Sequence, residues 1–225
     1  MVGQALKEYT KDLKAADRNW KNRITAKHRY EQAREAEAKE AELNSMVDEP
    51  TGLWNRRYFE IQLTNEMDKA SRKEYQKALS LIIFDMDELK QINDEQGGHL
   101  VGDLALRSLV EIVQGPHHAA TSELSSGRLR EKQVIRETDI LCRYAGDEFI
   151  LILPETDLTN AALVAERIRS NIDSQSERKS GIHFTASLGV AEFKPGQTRD
   201  EFFNMADQVL YESKEKGKNQ VTVAV

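Results

Sequence analysis

The spacing of apolar residues divides the chain into a helical N-terminal segment and a mixed domain. In residues 1–46, apolar side chains recur at heptad spacing: Leu6, Leu13 and Trp20, followed at three or four residues by Tyr9, Ala16 and Ile24. This pattern predicts about three repeats of a dimerising coiled coil. A lone exposed amphipathic helix is the alternative. Beyond Ile24 the apolar positions of the repeat are occupied by alanine. Either the helix continues as a solvated rod, or the contact between the two helices becomes looser there.

The pattern changes at Pro50 and Gly52, which separate the N-terminal helix from a domain spanning residues 47–225. The first predicted elements of this domain are a helix near 54–73, the strand ALSLIIFDMD, a helix from about Glu88 and a helix from about Asp103 to Val113. They are followed by a hairpin made of DILCRY and EFILIL and by a helix over 158–173. The last elements are the strand IHFTASLGVAEF, the helix RDEFFNMADQVLYESKEKG and the strand QVTVAV. Residues 115–133 are small, polar and aperiodic, which predicts an inserted surface loop. One hairpin together with helical crossovers predicts an α+β fold of the ferredoxin-like kind.

Composition narrows the class of protein. A hydrophobic content of 39% with 31% charged residues fits a globular protein with some exposed helix. The net charge of −6 lacks the basic footprint that nucleic-acid binding needs. No apolar run reaches the ~18 residues of a membrane span, and the N-terminus lacks a signal peptide's apolar core. We therefore expect a cytoplasmic protein, in which the single cysteine, Cys142, is a buried structural thiol.

Charged residues follow the predicted strands at three places. Asp85 and Asp87 end the strand ALSLIIFDMD, and a carboxylate there is costly unless it is paired or bound to metal. Asp87 can cap the helix that begins at Glu88, whereas Asp85 has no such role and is a candidate metal ligand. Asp147 and Glu148 occupy the hairpin tip, where an ordinary polar turn is equally consistent with the sequence.

Two lysines form the third charged set. Lys214 and Lys218 lie four residues apart on the last predicted helix, and they would repel unless they were solvated or faced anions. A solvated helix end explains them as well, because cations are favoured at that terminus. Carboxylates, a divalent cation and lysines are the groups that phosphoryl or nucleotidyl transfer uses. The helix N-terminus after Asp87 offers a further phosphate site.

Several motifs, taken together, make the chain resemble the GGDEF-domain diguanylate cyclases. The motifs are TGLWNRRYF (51–59), FDMDELKQIND (84–94), GHLVGD (98–103), AGDEF (145–149), SLGVA (187–191) and ADQVLYESKEKGKN (206–219). They occur in the family's order over about residues 46–225. The resemblance implies a nucleotidyl cyclase or palm-like core sheet flanked by helices and preceded by a long N-terminal signalling helix.

The resemblance also implies a reaction and a set of site residues. Two GTP molecules would be joined into cyclic di-GMP with release of two pyrophosphates, across a homodimer in which each protomer holds one GTP. The expected Mg²⁺ ligands, with Mn²⁺ as an alternative and two ions per active site, are Asp85, the carbonyl of Met86, Asp147 and Glu148. Asp147 would also accept the 3′-hydroxyl proton, and Glu148 would support the metal. The expected nucleotide contacts are Asn93 and Asp103 to guanine, His99 nearby, Gly146 at the backbone, and Lys214 and Lys218 to the phosphates.

An inhibitory product site is implied upstream of the signature. Arg136 and Asp139 form an RxxD pattern at the family's offset, and an arginine fork suits phosphate and the Hoogsteen edge of guanine. A surface ion pair is the alternative interpretation.

Four features depart from the family's pattern. Ala145 replaces a glycine, one extra residue precedes His99, Lys218 replaces an arginine, and the 115–133 insertion lies next to the inhibitory arginine.

The sequence leaves two other functions open. A catalytically inactive relative would act as a receptor for nucleotide or cyclic di-GMP, although the metal acids, lysines and base-reading pair are all present. A coiled-coil scaffold that only docks partners would leave the acids at the strand ends unexplained. Because each domain holds half of the reaction, the N-terminal helix is expected to set the geometry between two domains. It would transmit a signal from a regulator or an upstream sensory domain.

Overall fold

The computed structural model describes residues 20, 25, 27–72, 77–96, 98–115 and 134–224. Contacts divide the chain into two units, Met1–Ser45 and Met46–Val225. The first unit contains helix α1 (27–44), whose side chains are exposed, and Trp20 is 62% exposed. The other heptad positions lie outside the described residues: Leu6, Tyr9, Leu13, Ala16 and Ile24. The coiled coil therefore stays a prediction.

The second unit is built on a six-stranded mixed sheet. Its strands are β1 (Trp54–Asn55), β2 (Leu79–Met86), β3 (Ile140–Ala145), β4 (Glu148–Pro154), β5 (Ala186–Glu192) and β6 (Val221–Val223), in the spatial order β1-β3-β4-β2-β5-β6. The four inner strands are antiparallel to their neighbours, and β1 and β6 add parallel edges beside β3 and β5. The inner order, β5-β2-β4-β3, is the ferredoxin-like arrangement, which confirms the predicted fold class.

The described part of this unit contains the helices α2 (Arg56–Ala70), α3 (Leu89–Gln96), α4 (His99–Gln114), α5 (Leu158–Ser180) and α6 (Arg199–Glu215). Helices α2 and α6 pack on one face, and α4 and α5 pack on the other. Several predicted boundaries are wrong: α2 spans Arg56–Ala70 instead of 54–73, and β5 begins at Ala186 instead of Ile182. Helix α4 begins at His99 instead of Asp103, α5 continues past residue 173 to Ser180, and α6 ends at Glu215. The two-residue strand β1 was not predicted.

Strand β2 lacks a polar alternation because helices cover both of its faces. All eight of its residues are buried. Ile82 and Phe84 belong to the core beneath α4 and α5, whereas Leu81 and Ile83 belong to the core beneath α2 and α6. Alternation along the strand therefore turns Asp85 toward the face that α6 covers.

The Cys142 thiol is fully buried in β3, as predicted, and burial raises its pKa to about 12. A reactive thiolate is thereby disfavoured. Of the predicted insertion at 115–133, residues 116–133 lie outside the described residues. Within the described parts of the chain, no helix has both the length and the apolar character needed to span a bilayer.

Candidate active site

Three acidic side chains lie at one end of the inner strands. The register of β2 with β4 sets Asp85 directly opposite Glu148, and the register with β5 sets it opposite Ser187. Asp147 lies in the turn between β3 and β4, and its carbonyl accepts a hydrogen bond from the Met86 N–H at 3.2 Å. The hairpin therefore brings Asp147 and Glu148 to the end of the strand that contains Asp85.

Asp85 is the most buried of these acids, with 7% of its surface exposed. Its Oδ2 lies 3.0 Å from the Lys214 Nζ on α6. Burial, and after it the neighbouring Asp147, raise the pKa of Asp85 from 3.8 to about 6, although Lys214 opposes both effects. Like charges directly opposite each other on paired strands are destabilising. The ionised site therefore has more negative charge than Lys214 alone neutralises.

Glu148 has the same electrostatic character. Burial is the largest effect that raises its pKa, and the nearby carboxylates Asp207 and Asp147 raise it too. Lys214 and Arg56 oppose the shift, so Lys214 lies between two acids whose ionised forms are disfavoured. A cation added at this edge would favour the ionised form of both carboxylates.

The residues fit a magnesium ion that is held partly by substrate. In the described part of the chain, no three histidine, cysteine or acidic side chains converge as a complete protein cage. Mg²⁺ usually binds one or two carboxylates, with water and phosphate oxygens as its other ligands. Asp85 and Asp147 with the Met86 main chain offer such a partial set, and the excess negative charge at Asp85 suits a divalent cation.

The predicted capping role of Asp87 is wrong. Its carboxylate is 6% exposed and accepts hydrogen bonds from the Thr185 hydroxyl at 2.6 Å, the Ser187 hydroxyl at 2.7 Å and the Asn219 N–H at 3.1 Å. Helix α3 begins only at Leu89. Asp87 therefore joins the end of β2 to β5 and to the turn after α6.

The two lysines lie near the acids but not on one helix. Lys214 is in the last turn of α6, whereas Lys218 lies in the turn beyond it with φ of +62°. Lys218 Nζ donates to Glu88 Oε1 at 2.9 Å. The i,i+4 relation predicted on a helix is thus wrong, yet both ammonium groups contact acids at the β2 end.

A second group of predicted residues lies where α3 meets α4. Asn93 on α3 packs against Gly102 on α4 so closely that a Cβ at Gly102 would lie 2.2 Å from Asn93 Oδ1. Among the described residues, that Oδ1 is buried without a hydrogen-bond partner. His99 is exposed at the start of α4 and Asp103 is half-buried one turn later. The structure thus offers an unsatisfied acceptor on α3 and a half-buried carboxylate on the neighbouring helix α4.

The hairpin tip has the backbone conformation expected for its glycine. Gly146 has φ of +45°, a left-handed conformation that side chains other than glycine adopt at a cost. Its carbonyl accepts a hydrogen bond from Arg143 Nε at 2.8 Å, and Arg143 Nη1 lies 3.1 Å from Asp48 Oδ1. Ala145 is exposed at the end of β3. The tip is therefore anchored to the turn that precedes β1.

Arg136 and Asp139 form a tight turn instead of the alternative surface ion pair. Asp139 Oδ2 accepts from the Arg136 N–H at 2.7 Å, and the Asp139 N–H donates to the Arg136 carbonyl at 3.1 Å. Burial raises the pKa of Asp139, whose Oδ1 is buried without a partner among the described residues. The exposed Arg136 borders a pocket of about 290 Å³ that is also lined by Arg167 and Leu163 of α5.

Sequence reasoning missed three polar residues of these sites. Glu88 binds Lys218, Asn219 binds Asp87, and Arg167 borders the pocket beside Arg136. The first two lie inside quoted motifs, so their positions were available. Arg167 gave no signal, because only the packing of α5 brings it to the Arg136 turn.

Comparison with known proteins gives this geometry a family. The family model described as "Diguanylate cyclase, GGDEF domain" matches residues 45–123 and 117–220. Diguanylate cyclase DgcS of Shewanella oneidensis is 32% identical over 181 residues, which are 80% of this chain and 53% of that protein. Response regulator PleD of Caulobacter vibrioides is 32% identical over 182 residues, 79% of this chain and 36% of that protein. The chain thus spans about half or less of the length of these two relatives.

Solved structures agree with the sequence relatives. The coiled coil and GGDEF domain of DgcB from Caulobacter crescentus, in complex with c-di-GMP, superposes with a TM-score of 0.73 at 25% identity, covering 91% of this chain and 98% of that one. Diguanylate cyclase SiaD of Pseudomonas aeruginosa, in complex with its activator SiaC, superposes with a TM-score of 0.68 at 28% identity, covering 97% of this chain and 75% of that one. This chain belongs to the GGDEF-domain diguanylate cyclase family.

Proposed function

We propose that the protein is an active diguanylate cyclase, which condenses two GTP molecules into cyclic di-GMP across a homodimer. The observation that supports this most is the meeting of Asp85, Asp147 and Glu148 with Lys214 at one end of the sheet. Lys218 lies at the same end, where it contacts Glu88. A domain that only docked partners would gain nothing from a buried acid whose ionisation is disfavoured.

In this proposal the residues around β2 divide the work of binding. Asp85, Asp147, Glu148 and the Met86 carbonyl would hold two magnesium or manganese ions per site, which neutralise charge that develops on the phosphates. Lys214 and Lys218 contact phosphate oxygens, and Gly146 lets the hairpin backbone approach the nucleotide.

The guanine would be read where α3 meets α4. The unsatisfied Asn93 Oδ1 accepts from the guanine N–H groups, and the Asp103 carboxylate accepts alongside it. His99, which is exposed at the start of α4, would lie near the base. A base without these donors would leave the Asn93 acceptor unpaired, which favours guanine.

The chemical step is an in-line displacement that occurs twice. Asp147 accepts the proton of one nucleotide's 3′-hydroxyl, the oxygen forms a bond to the α-phosphorus of the other nucleotide, and the bond from that phosphorus to the bridging oxygen of pyrophosphate breaks. Each domain supplies one nucleotide, so the rate depends on how two domains face each other. The N-terminal helix would set that geometry.

The turn at Arg136 would bind the product. Two arginines, Arg136 and Arg167, border a pocket of about 290 Å³, and arginine forks suit the two phosphates of cyclic di-GMP. Asp139 fixes the turn through the Arg136 N–H. Occupation of this pocket would inhibit the enzyme.

The decisive assay is magnesium-dependent turnover of GTP, with the product identified by chromatography, for the wild type and for Asp147→Ala. We expect cyclic di-GMP from the wild type alone. A wild type that binds cyclic di-GMP in calorimetry but makes none, even with the N-terminal helix crosslinked as a dimer, would be a receptor and would refute the proposed activity.

A further inference from the structure

A polar network on the far side of the site fixes the turn that follows α6. Three consecutive residues, Gly217, Lys218 and Asn219, have φ angles of +113°, +62° and +45°. Lysine adopts this left-handed conformation only at a cost in strain, whereas asparagine tolerates it better. Lys218 therefore needs specific contacts within the turn to stay in this conformation.

Asn219 makes such contacts through its main-chain N–H and through both polar atoms of its side-chain amide. Its N–H donates to Asp87 Oδ2 at 3.1 Å, its Nδ2 donates to Asp173 Oδ2 at 3.2 Å, and its Oδ1 accepts from Arg169 Nη1 at 2.7 Å. Asp87 is itself held by Thr185 and Ser187. The Asn219 main-chain N–H thus joins the turn to Asp87 at the end of β2, and its amide side chain joins the turn to α5.

Arg169 is the fixed point of this network. Its side chain is only 18% exposed, and Glu166 accepts from its Nε and Nη2 at 2.8 to 3.1 Å. Its Nη1 lies 3.4 Å from Asp173 Oδ2, so it also orients the carboxylate that binds Asn219. A guanidinium held on three sides cannot follow a moving turn, and it therefore limits where Asn219 can lie.

We infer that Arg169 is a positioning residue for nucleotide binding, acting through Asn219 on Lys218. This inference rests on the proposed function, because it requires Lys218 to contact substrate phosphate. Arg169 itself lies on α5 and makes its hydrogen bonds to protein groups. The turn delivers the Lys218 ammonium to the β2 end, where it reaches Glu88 at 2.9 Å. Without Arg169 the turn samples other conformations, and only some of them present Lys218 to phosphate.

The test measures binding of 3′-deoxy-GTP, which lacks the attacking hydroxyl, by titration calorimetry with Mg²⁺. Arg169→Met should weaken binding about five- to tenfold, raise the KM for GTP by a similar factor and leave kcat within about twofold, since no reacting group is altered. Lys179→Met is the matched control, because it removes another cation of α5 that pairs with an acid, Glu111, at 3.1 Å. We expect its binding to equal that of the wild type.

A double-mutant cycle tests whether the effect passes through Lys218. Adding Arg169→Met to Lys218→Met should weaken binding by less than about twofold, since the group being positioned is already gone. Asn219→Gly keeps the left-handed backbone and the bond to Asp87 but removes the amide. It should reproduce the loss seen for Arg169→Met and serves as the test if that variant fails to fold.

The possible outcomes distinguish a failure of the inference about Arg169 from a failure of the proposed function. If the wild type does not bind the analogue, the proposed function fails and the inference is overturned with it. If the wild type binds and Arg169→Met and Asn219→Gly bind equally well, or if the effects of Arg169→Met and Lys218→Met are fully additive, the inference alone is overturned.

Discussion

Replacing Asp85 by asparagine should stabilise the fold while it abolishes catalysis. Burial and Asp147 raise the pKa of Asp85 from 3.8 to about 6 despite the ion pair with Lys214. A difference of this size between the folded and unfolded states corresponds to about 3 kcal/mol by which ionised Asp85 lowers the free energy of unfolding at neutral pH. Asparagine has nearly the shape of the neutral acid, so the variant should recover most of that energy.

The raised pKa of Asp85 also determines how the stability difference between Asp85→Asn and the wild type varies with pH. Because the folded-state pKa is raised, the folded protein binds more protons than the unfolded chain between about pH 4 and 6. The stability of the wild type therefore falls as the pH rises through this window. The difference between Asp85→Asn and the wild type should be near zero below pH 4 and should reach its full value above pH 6. Urea unfolding in EDTA, without nucleotide, measures both free energies.

Asp87→Asn is the matched control, because the same change two residues away should have the opposite effect. Asp87 accepts three hydrogen bonds, and an amide would turn one of its acceptor atoms into a donor facing other donors. Losing such a buried bond costs about 1–3 kcal/mol. If Asp85→Asn were no more stable than the wild type at pH 7, or if its advantage did not change between pH 4 and 7, our account of the Asp85 site would be refuted.

Three further predictions concern the other parts of the enzyme. Arg136→Ala should weaken inhibition by cyclic di-GMP at least tenfold with kcat unchanged; an unaltered inhibition curve would reduce the RxxD pattern to a structural turn. Asn93→Ala should raise the KM for GTP about tenfold, as expected for one buried hydrogen bond, without lowering the free energy of unfolding, since Oδ1 has no partner among the described residues. A parallel loss of stability would contradict this. Polar substitution of Leu6, Leu13 and Trp20 should lower specific activity on dilution; activity independent of dilution would argue against the dimerising helix.

Local sequence patterns predicted most of the fold, because packing follows them closely here. The uninterrupted apolar run of β2 reflects burial on both faces. The hairpin followed from two apolar runs around a glycine whose φ is indeed positive. The start of α4 was misplaced because Gly98 and Gly102 looked like one flexible break. In the structure Gly98 precedes the helix, whereas Gly102 lies inside it at a position where Asn93 leaves no room for a Cβ.

The sites were predicted less completely, because their geometry depends on contacts between distant segments. The alternation of β2 directs Asp85 toward α6 and hence toward Lys214, which sequence spacing alone does not show. Lys218 was predicted to lie on the last helix, whereas α6 ends at Glu215 with Lys216 as its C-cap residue, so Lys218 lies in the turn beyond the helix. Arg167 comes beside Arg136 only through the docking of α5, and no local pattern encodes that contact.

Asp85 and Asp87 show why a pair of acids on one strand end need not have one purpose. Asp87 faces hydrogen-bond donors from β5 and from the Asn219 turn, so the folded chain satisfies it. Asp85 faces two other acids and one lysine, so the folded chain alone leaves its charge incompletely compensated. A cation that binds only the folded protein raises the free energy of unfolding, and the gain grows with the logarithm of its concentration once that exceeds the dissociation constant. The stability that Asp85 removes should therefore return when Mg²⁺ and nucleotide bind, and Asp85→Asn should lose this ligand-dependent gain even though it is more stable without ligand.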